Sequence, residues 1–265
     1  MNGRTERGAA PPSLIIVSDC TDVAFVEMRC VILATYLGVV GSVVRHAMIE
    51  PIVQCVHYSV SNASFLTRLV GEVSPSGAVV MVIMNSLMQR TERIVGRTAE
   101  RDLIFEGTNT GAFGWLLDDF GCAECYELHD PGFIPFGGKY VHAPAVGRIL
   151  AGCPLSSLGQ LFDPTKIRRY RPQRSEVVHI DNFGNLKLFL NDAPGEAGRM
   201  VKVAFPSGAS VNAVCWTRMM ERQTGEWVLY PGSSLGLYEL GQVRSAGASS
   251  LAVTVGDVAT IEQVC

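Results

Sequence analysis

Two short runs of consecutive apolar residues constrain the fold more than any other feature of the sequence. Leu14–Val17 and Ala78–Met84 contain no polar residue, which is typical of strands that are covered on both faces. Around and between them the sequence predicts a helix over Val23–Leu37, a strand over Pro51–Val60, and a helix over Asn62–Val70 capped from Ser61 or Asn62. Strands that alternate with helices predict an α/β layer with parallel pairing.

Polar residues follow both apolar runs. The segments Ser18–Asp22 and Asn85–Gln89 come directly after the two predicted strands. In parallel sheets, ligands bind beyond the carboxyl ends of the strands, so these two segments form a candidate site. Asp19 also has a purely structural interpretation, because short polar side chains at this point can cap the helix that follows.

The sequence changes character after residues 167–174, which are rich in arginine. We interpret this segment as a solvated or subunit-contacting linker, with a phosphate clamp as the alternative. Beyond it, short β-like runs are separated by Gly, Pro, Asn and Asp: Val177–Ile180, Met200–Phe205, Trp227–Tyr230 and Leu251–Val255. We therefore expect a flexible N-terminus over residues 1–13, an α/β domain with a mostly parallel sheet over 14–170, and a small all-β, barrel-like domain over 175–265.

Composition excludes several classes of function. Lys and Arg total 22 and Asp and Glu total 25, giving a net charge of −3. This balance argues against a nucleic-acid binder, which needs a basic surface. The uncharged stretch Cys30–Val44 falls short of the roughly 20 apolar residues that span a bilayer. No signal peptide is evident either, so we expect a cytoplasmic protein without a membrane partner.

The eight cysteines are scattered along the chain. In a chain this long and apolar, free thiols are a better interpretation than a disulfide framework. Cys122 and Cys125 have the spacing of a zinc knuckle, but a zinc site needs a second close pair, and the sequence contains none. We therefore predict no metal site.

Several segments, in order along the chain, carry a family resemblance: Ile16–Asp19, Val56–His57, His142–Pro144 with Ala151–Gly152, Ile180–Leu186, and Ser233–Leu240. Together they resemble the motifs of the superfamily of S-adenosylmethionine (SAM) hydroxide adenosyltransferases and the SAM-dependent fluorinase and chlorinase. The resemblance implies an α/β domain, a β-barrel domain and a trimer whose substrate lies between the first domain of one subunit and the second domain of its neighbour. The family reaction is a displacement at the 5′ carbon of SAM.

The resemblance also implies binding roles for particular residues. Asp19 matches the aspartate that holds the ribose hydroxyls, and His57 matches a family histidine. Asp181, Asn185 and Ser234 match positions around the methionine amino-acid group, and Phe183 matches an apolar contact there. For Asp181 and Asn185 the alternative is a self-capped turn. For His57 the alternative, which we favour, is a packed histidine without a catalytic role.

The positions that perform the family's chemistry have changed. Family hydrolases activate water with an aspartate, an arginine and a histidine. The aspartate corresponds to Asn85, the arginine to Glu92 with Arg93 next to it, and the histidine to Gly137. The halogenases' hydroxyl-bearing residue corresponds to Gly138. No general base for water is therefore evident in the sequence.

Three hypotheses remain open. In the preferred one, the protein performs nucleophilic substitution at a saturated carbon in specialised metabolism, for example closure of an aziridine ring with loss of sulfate. Lys139, Arg93 and Asn85 would be catalytic, Arg90 and Gly138 would contact the substrate, and no cofactor would be required. The second hypothesis is a SAM hydrolase. The third is a non-catalytic SAM-binding protein or the supporting subunit of a hetero-oligomer. We expect the protein to assemble into a homotrimer or a hetero-oligomer.

Overall fold

The computed structural model describes residues 13–41, 48–85, 91–129, 131–132 and 135–264. Within these residues the chain forms two mixed sheets with helices, and one of the sheets is curled into a half-barrel. The chain divides into two compact units. The first holds the chain through Tyr58 together with Val70–Arg169, and the second holds Ser59–Leu69 together with the chain from Tyr170 onward.

The first unit is built on a single sheet. Its strands are β1 Ser13–Ser18, β2 Met48–Ile49, β3 Val53–Gln54, β4 Val79–Ile83, β5 Arg93–Arg97, β6 Ile104–Thr108, β7 Glu124–Leu128 and β8 Gly159–Leu161. Their order is β2-β1-β4-β6-β5-β7-β8, and β3 also pairs with β1. Strands β1, β2, β3, β4 and β6 pair in parallel, whereas β5, β7 and β8 pair antiparallel.

The helices are α1 Val23–Val40, α2 Val60–Val73, α3 Gly114–Phe120 and α4 Ala143–Leu150, with a π-helical turn over Gly138–His142 directly before α4. Helix α4 packs on α1. The contact is close at Gly147, where an added Cβ would lie 2.7 Å from the carbonyl oxygen of Ile32. A larger side chain at this position would force the two helices apart.

The first predicted helix is confirmed and is one turn longer than expected. Asp22 caps α1 by accepting a hydrogen bond from the Ala24 N–H at 2.9 Å, and Gly41 ends the helix at φ 63°. The cap is therefore Asp22 and not Asp19, so the structural interpretation of Asp19 is wrong. Asp22 lies directly before the first helical residue, where its side chain reaches the free N–H groups.

The outward face of α1 is apolar except at Arg29. Met28, Ile32 and Tyr36 are buried in the core of the first unit. The exposed side includes Val23, which is 68% exposed, and Leu37, which is 52% exposed. Among the described residues, α1 is the one helix that is long and apolar enough to cross a membrane by length and composition alone.

The predicted strand over residues 51–60 is largely wrong. Only Val53–Gln54 pairs, with β1, and α2 begins at Val60. Just beyond the short strand, the Cys55 N–H donates to the Ser18 carbonyl, and the chain then turns. The predicted cap at Ser61 or Asn62 lies inside the helix, and the Ser59 hydroxyl accepts from the Asn62 N–H instead.

The second unit contains the other sheet. Its strands are β9 Val177–Ile180, β10 Leu186–Leu188, β11 Met200–Ala204, β12 Ser210–Cys215, β13 Trp227–Pro231, β14 Tyr238–Gln242 and β15 Thr260–Gln263, in the order β15-β11-β12-β13-β14-β10-β9. All pairings are antiparallel except that of β12 with β13. The predicted strands at 177–180, 200–205 and 227–230 are confirmed. The one predicted at 251–255 is wrong, because this segment turns and makes no ladder bonds.

The first part of α2 belongs to the second unit, whereas the sequence analysis placed it in the segment 14–170. Hydrogen bonds explain the grouping. The Asn62 side chain donates to the Val178 carbonyl at 2.8 Å, and the Ser61 hydroxyl donates to Glu176 at 2.5 Å. Phe65 stacks on His179. The residues that make these polar and aromatic contacts lie far apart in sequence, so the periodicity of apolar residues does not reveal the contacts.

Candidate functional site

Asp19 lies at the carboxyl ends of the parallel strands, as predicted. It is 2% exposed. Its carboxylate accepts a hydrogen bond from the Tyr58 N–H at 3.0 Å and another from the Asn85 N–H at 3.1 Å. Backbone groups after β3 and β4 therefore fix the carboxylate, and the two predicted site segments meet here. Residues 86–90, including Arg90, lie outside the described residues.

Two thiols lie near this carboxylate. The Cys20 sulfur is 3.6 Å from an oxygen of Asp19, and Cys55 is buried. Burial, and then the charge of Asp19, raise the pKa of Cys55 to about 12 and also raise the pKa of Cys20. Both thiols therefore remain protonated near neutral pH and are poor nucleophiles.

The residues after β3 are open to solvent. His57 is exposed and lies in a turn, so the interpretation of His57 as a packed histidine is wrong. Tyr58 has φ 60° and a side chain that is 54% exposed. A left-handed conformation is costly for a bulky residue, and here it accompanies the hydrogen bond from the Tyr58 N–H to Asp19.

Arg93 lies against Gly137, the position that the resemblance described above matches to a histidine. A Cβ on Gly137 would lie 2.9 Å from Arg93 Nη2 and 3.3 Å from Nε. Glu92 points elsewhere and accepts a hydrogen bond from the Asn109 amide at 3.0 Å. Arg93, and not Glu92, therefore lies against Gly137. A guanidinium stays protonated, so it can bind an anion but cannot serve as a base.

Lys139 pairs with a carboxylate. Its Nζ lies 2.9 Å from Glu27 Oε1 on α1, and this hydrogen bond raises the pKa of Lys139. The adjacent Gly138 is buried, and an added Cβ would lie 2.7 Å from the Met28 sulfur. The lysine charge is therefore already balanced, and the glycine serves close packing.

Glu106 and His142 form a buried acid–imidazole pair that the sequence analysis did not predict. Glu106 Oε1 lies 2.5 Å from His142 Nδ1, and the two side chains are 0% and 3% exposed. Burial raises the pKa of Glu106, although His142 opposes the shift. Among the described residues, the second oxygen, Oε2, is buried without a hydrogen-bond partner.

A hydroxyl and a guanidinium extend this pair. Thr108 Oγ1 lies 3.5 Å from His142 Nε2, at the outer limit of a hydrogen bond. Thr108 and Arg93 are direct partners across β5 and β6, and Glu106 faces Val95. Directly opposed side chains, and those two residues apart, share one face of a sheet. Arg93, Thr108 and Glu106 therefore project from the same face. We call Arg93, Thr108, His142 and Glu106 the polar cluster.

A π-helical turn positions the histidine of the polar cluster. The turn spans Gly138–His142 and ends where α4 begins. Such turns are rare and are frequently found at functional sites. Two signals in the sequence could have revealed this cluster. One is the carboxylate inside the apolar strand β6, and the other is His142, which the resemblance matched only as part of a motif.

In the second unit, Asp181 is fully engaged in its own turn. It accepts hydrogen bonds from the Phe183 N–H and the Asn185 N–H, each at 2.9 Å, and from the Asn185 side-chain amide at 3.0 Å. This geometry is the self-capped turn that the sequence analysis gave as the alternative. The turn leaves Phe183 69% exposed.

A cavity of about 600 Å³ adjoins this turn. Its lining includes Phe183 and Asn185 of the predicted site, with Met219, Met220 and Arg244. Asp181 and Ser234 do not line it; Ser234 lies in a turn where its carbonyl accepts from the Leu237 N–H at 3.0 Å. Two of the four residues predicted here therefore face a common cavity.

Comparison with known proteins identifies the fold alone. No family model and no curated protein matches the chain. Solved structures do match, among them an uncharacterized conserved protein from Thermotoga maritima, at TM-score 0.75 and 20% identity over 95% of this chain and 100% of that one. A conserved hypothetical protein from Thermus thermophilus matches at TM-score 0.74 and 20% identity, over 96% of this chain and 100% of that one.

Proposed function

We propose that this protein catalyses nucleophilic substitution at a saturated carbon with loss of an anionic leaving group. In this proposal the two units are the α/β domain and the barrel-like domain of the SAM hydroxide adenosyltransferase superfamily, with altered chemistry. The observation that carries the proposal is the position of Arg93 against Gly137. The Arg93 guanidinium supplies a permanent positive charge beside the residue that corresponds to the family's histidine.

The charge of the site favours an anion over a sulfonium substrate. A guanidinium repels the positive sulfur of SAM and forms two parallel hydrogen bonds to sulfate or phosphate. Lys139, which we also expected to be catalytic, is already paired with Glu27. We assign stabilisation of the leaving group to Arg93 because its guanidinium lies against Gly137. Asn85, whose N–H binds Asp19, positions that carboxylate.

The remainder of the polar cluster can accept the proton that the reaction releases. In an amine ring closure a C–N bond forms, the C–O bond to sulfate breaks, and the nitrogen loses one proton. That proton can pass through the Thr108 hydroxyl to His142 Nε2, while Glu106 holds the opposite side of the ring. Because the nucleophile is part of the substrate, no activated water is needed.

A sulfate-release assay tests this function. The purified protein is incubated with 2-aminoalkyl sulfate esters, and free sulfate is measured by ion chromatography. Arg93→Gln should lower the rate at least about a hundredfold, because a charge-assisted contact to the leaving group is lost. Lys139→Ala should lower it much less.

Arg97→Gln is the matched control. It removes the same charge from the other end of β5, where Arg97 pairs with Asp102 and Glu124. If Arg97→Gln and Arg93→Gln slow sulfate release equally, the assignment of Arg93 is wrong. If no ester of this class releases sulfate above the uncatalysed rate, the proposed reaction is wrong.

SAM hydrolysis is the second candidate, and the Glu106–His142 pair favours it. A buried imidazole backed by a carboxylate is a suitable base for water. Incubation with SAM, followed by chromatography for adenosine and methionine, tests this candidate. Adenosine formation that His142→Gln abolishes would favour the hydrolase. Formation of none over hours would exclude it.

We further propose that the protein assembles into a homotrimer or a hetero-oligomer. The exposed apolar residues of α1 recur at intervals of three and four: Val23, Val26, Cys30, Leu33 and Leu37. This spacing is typical of a helix that packs against another apolar surface. Leu33→Glu should reduce the mass measured by light scattering, and an unchanged mass would contradict a role for this face.

A further inference from the structure

Two cysteines of the first unit are three residues apart and held in place by the backbone. Cys122 follows α3, and Cys125 lies in β7. Between them, the Ala123 N–H donates to the Arg97 carbonyl at 2.8 Å, and the Cys125 carbonyl accepts from the Phe162 N–H at 2.9 Å. Hydrogen bonds thus fix the backbone at Ala123 and Cys125 of a Cys-x-x-Cys segment, the spacing of dithiol redox sites.

The two thiols have different environments. Cys125 is 1% exposed, whereas Cys122 is partly exposed. The Cys122 thiol donates a hydrogen bond to the Glu124 carbonyl, with 3.5 Å between sulfur and oxygen. The neighbouring Cys125, followed by the charge of the Arg169 guanidinium, lowers the pKa of Cys122. The neighbouring Cys122, followed by burial, raises the pKa of Cys125. Cys122 is therefore the accessible nucleophile, and Cys125 is the buried partner.

A metal does not account for the pair. Within the part of the chain that the structure describes, no group of three or more His, Cys, Asp or Glu side chains is placed to hold a metal ion. A structural zinc site requires four such ligands. The Cys-x-x-Cys spacing, with one thiol partly exposed and the other buried, is therefore more consistent with thiol–disulfide chemistry.

We propose that Cys122 and Cys125 form a reversible intrachain disulfide by exchange with a small disulfide such as oxidised glutathione. The Cys122 thiolate attacks one glutathione sulfur, forming a mixed disulfide and releasing one glutathione thiolate. Cys125 loses its proton to solvent and attacks the Cys122 sulfur, which releases the second glutathione. The two cysteines are oxidised and one oxidised glutathione is reduced. This proposal does not depend on the function proposed above.

The wild-type protein alone can test it. The full chain is incubated in glutathione buffers of increasing oxidising strength, quenched in acid, and measured by intact mass and peptide mapping. We expect loss of two hydrogen atoms in the peptide that contains both cysteines, reversed completely by dithiothreitol. If these cysteines stay reduced in the most oxidising buffer, or if another cysteine is the partner, the proposal is wrong.

Serine variants test the assigned roles. In Cys125→Ser the mixed disulfide on Cys122 should persist, because the resolving thiol is absent. In Cys122→Ser both the adduct and the mass loss should disappear, whereas the control Cys153→Ser, at another partly exposed cysteine, should oxidise as the wild type does. A persistent adduct on Cys125 instead would reverse the roles. If Cys125→Ser does not fold, the rate at which iodoacetamide labels each cysteine of the wild type distinguishes them: Cys122 should react first.

Discussion

Buried carboxylates in the two units differ in whether both of their oxygens have hydrogen-bond partners. In the second unit, Glu239 binds the Lys187 ammonium with one oxygen and the Tyr230 hydroxyl with the other. Glu176 accepts from Ser61, Tyr170 and the Gln173 N–H. In the first unit, Glu106 binds only His142, and its other oxygen is buried without a partner among the described residues.

Under the function proposed above, this difference separates a network that stabilises the fold from one that takes part in chemistry. A buried polar group with every position satisfied stabilises one packing arrangement, whereas an unsatisfied group costs free energy. In the second unit, the Glu239 carboxylate has a partner on the neighbouring strand. Lys187 on β10 lies opposite Glu239 on β14 and opposite His179 on β9. The first unit keeps an unfilled oxygen beside an imidazole, which is expected where a group must exchange protons.

The largest expected effect is on the satisfied network. Lys187→Met should lower the free energy of unfolding by about 3–5 kcal/mol, because it leaves the Glu239 carboxylate buried without its cation. The measurement is urea denaturation followed by tryptophan fluorescence. The double variant Lys187→Met/Glu239→Leu should lose less than the single variant. A single variant as stable as the wild type would refute the comparison for this unit.

The next effect is a pH dependence that originates in the second unit. Burial, followed by the charge of Lys187, lowers the pKa of His179, whose Nδ1 lies 3.0 Å from the Asn62 amide. The folded protein therefore takes up the proton less readily than the unfolded chain. Stability from this group is complete above the unfolded pKa, near 6.5, and is lost as the pH falls toward the folded pKa. The loss is about 1.4 kcal/mol for each unit of depression.

His179→Phe removes this titration and keeps the stacking on Phe65. The unfolding free energy of the variant should fall less between pH 7 and about pH 5 than that of the wild type. The exposed His129 provides the control, since His129→Gln should leave the slope unchanged. A wild-type slope retained in His179→Phe would show that another group causes the pH dependence.

Substitutions at two glycines test whether the side chains of the polar cluster are positioned for catalysis rather than for stability. Gly137→Ala should displace the Arg93 guanidinium and lower sulfate release at least about tenfold, with a stability change below about 0.5 kcal/mol, because only the end of a flexible side chain must move. Gly38→Ala, in α1 with no atom within 4 Å of the added Cβ, should gain about 0.5–1 kcal/mol without affecting activity. Equal rates in both variants would contradict the role of Gly137.

The sequence predicts elements better than it predicts side-chain partners. Continuous apolar runs identify β1 and β4, and the carboxyl-end rule correctly brings Asp19 to Asn85. The polar cluster was missed because its members come from β5, β6 and the π-helical turn. No local pattern indicates that Glu106 and His142, far apart in sequence, share one hydrogen bond. Which of Glu92 and Arg93 lies against Gly137 is likewise visible only from what each side chain contacts.

The smallest stability effect is expected at Glu106, where the contrast between the units is sharpest. Glu106→Gln keeps an oxygen that accepts from His142 and removes a charge that burial disfavours, so the unfolding free energy at pH 7 should change by less than about 1 kcal/mol. Burial raises the folded pKa of Glu106, so the wild type loses stability as the pH rises through that value, and the glutamine variant does not. The difference should therefore shift in favour of the variant at higher pH.

Sulfate release should fall sharply in the same variant if Glu106 holds His142 for proton transfer. Asp163→Asn, at an exposed carboxylate whose pKa is lowered by hydrogen bonds from Thr165, is the control for a change of charge alone. A Glu106→Gln variant that unfolds as readily as Lys187→Met would mean that both units use buried carboxylates for stability. That result would contradict a catalytic role for the polar cluster.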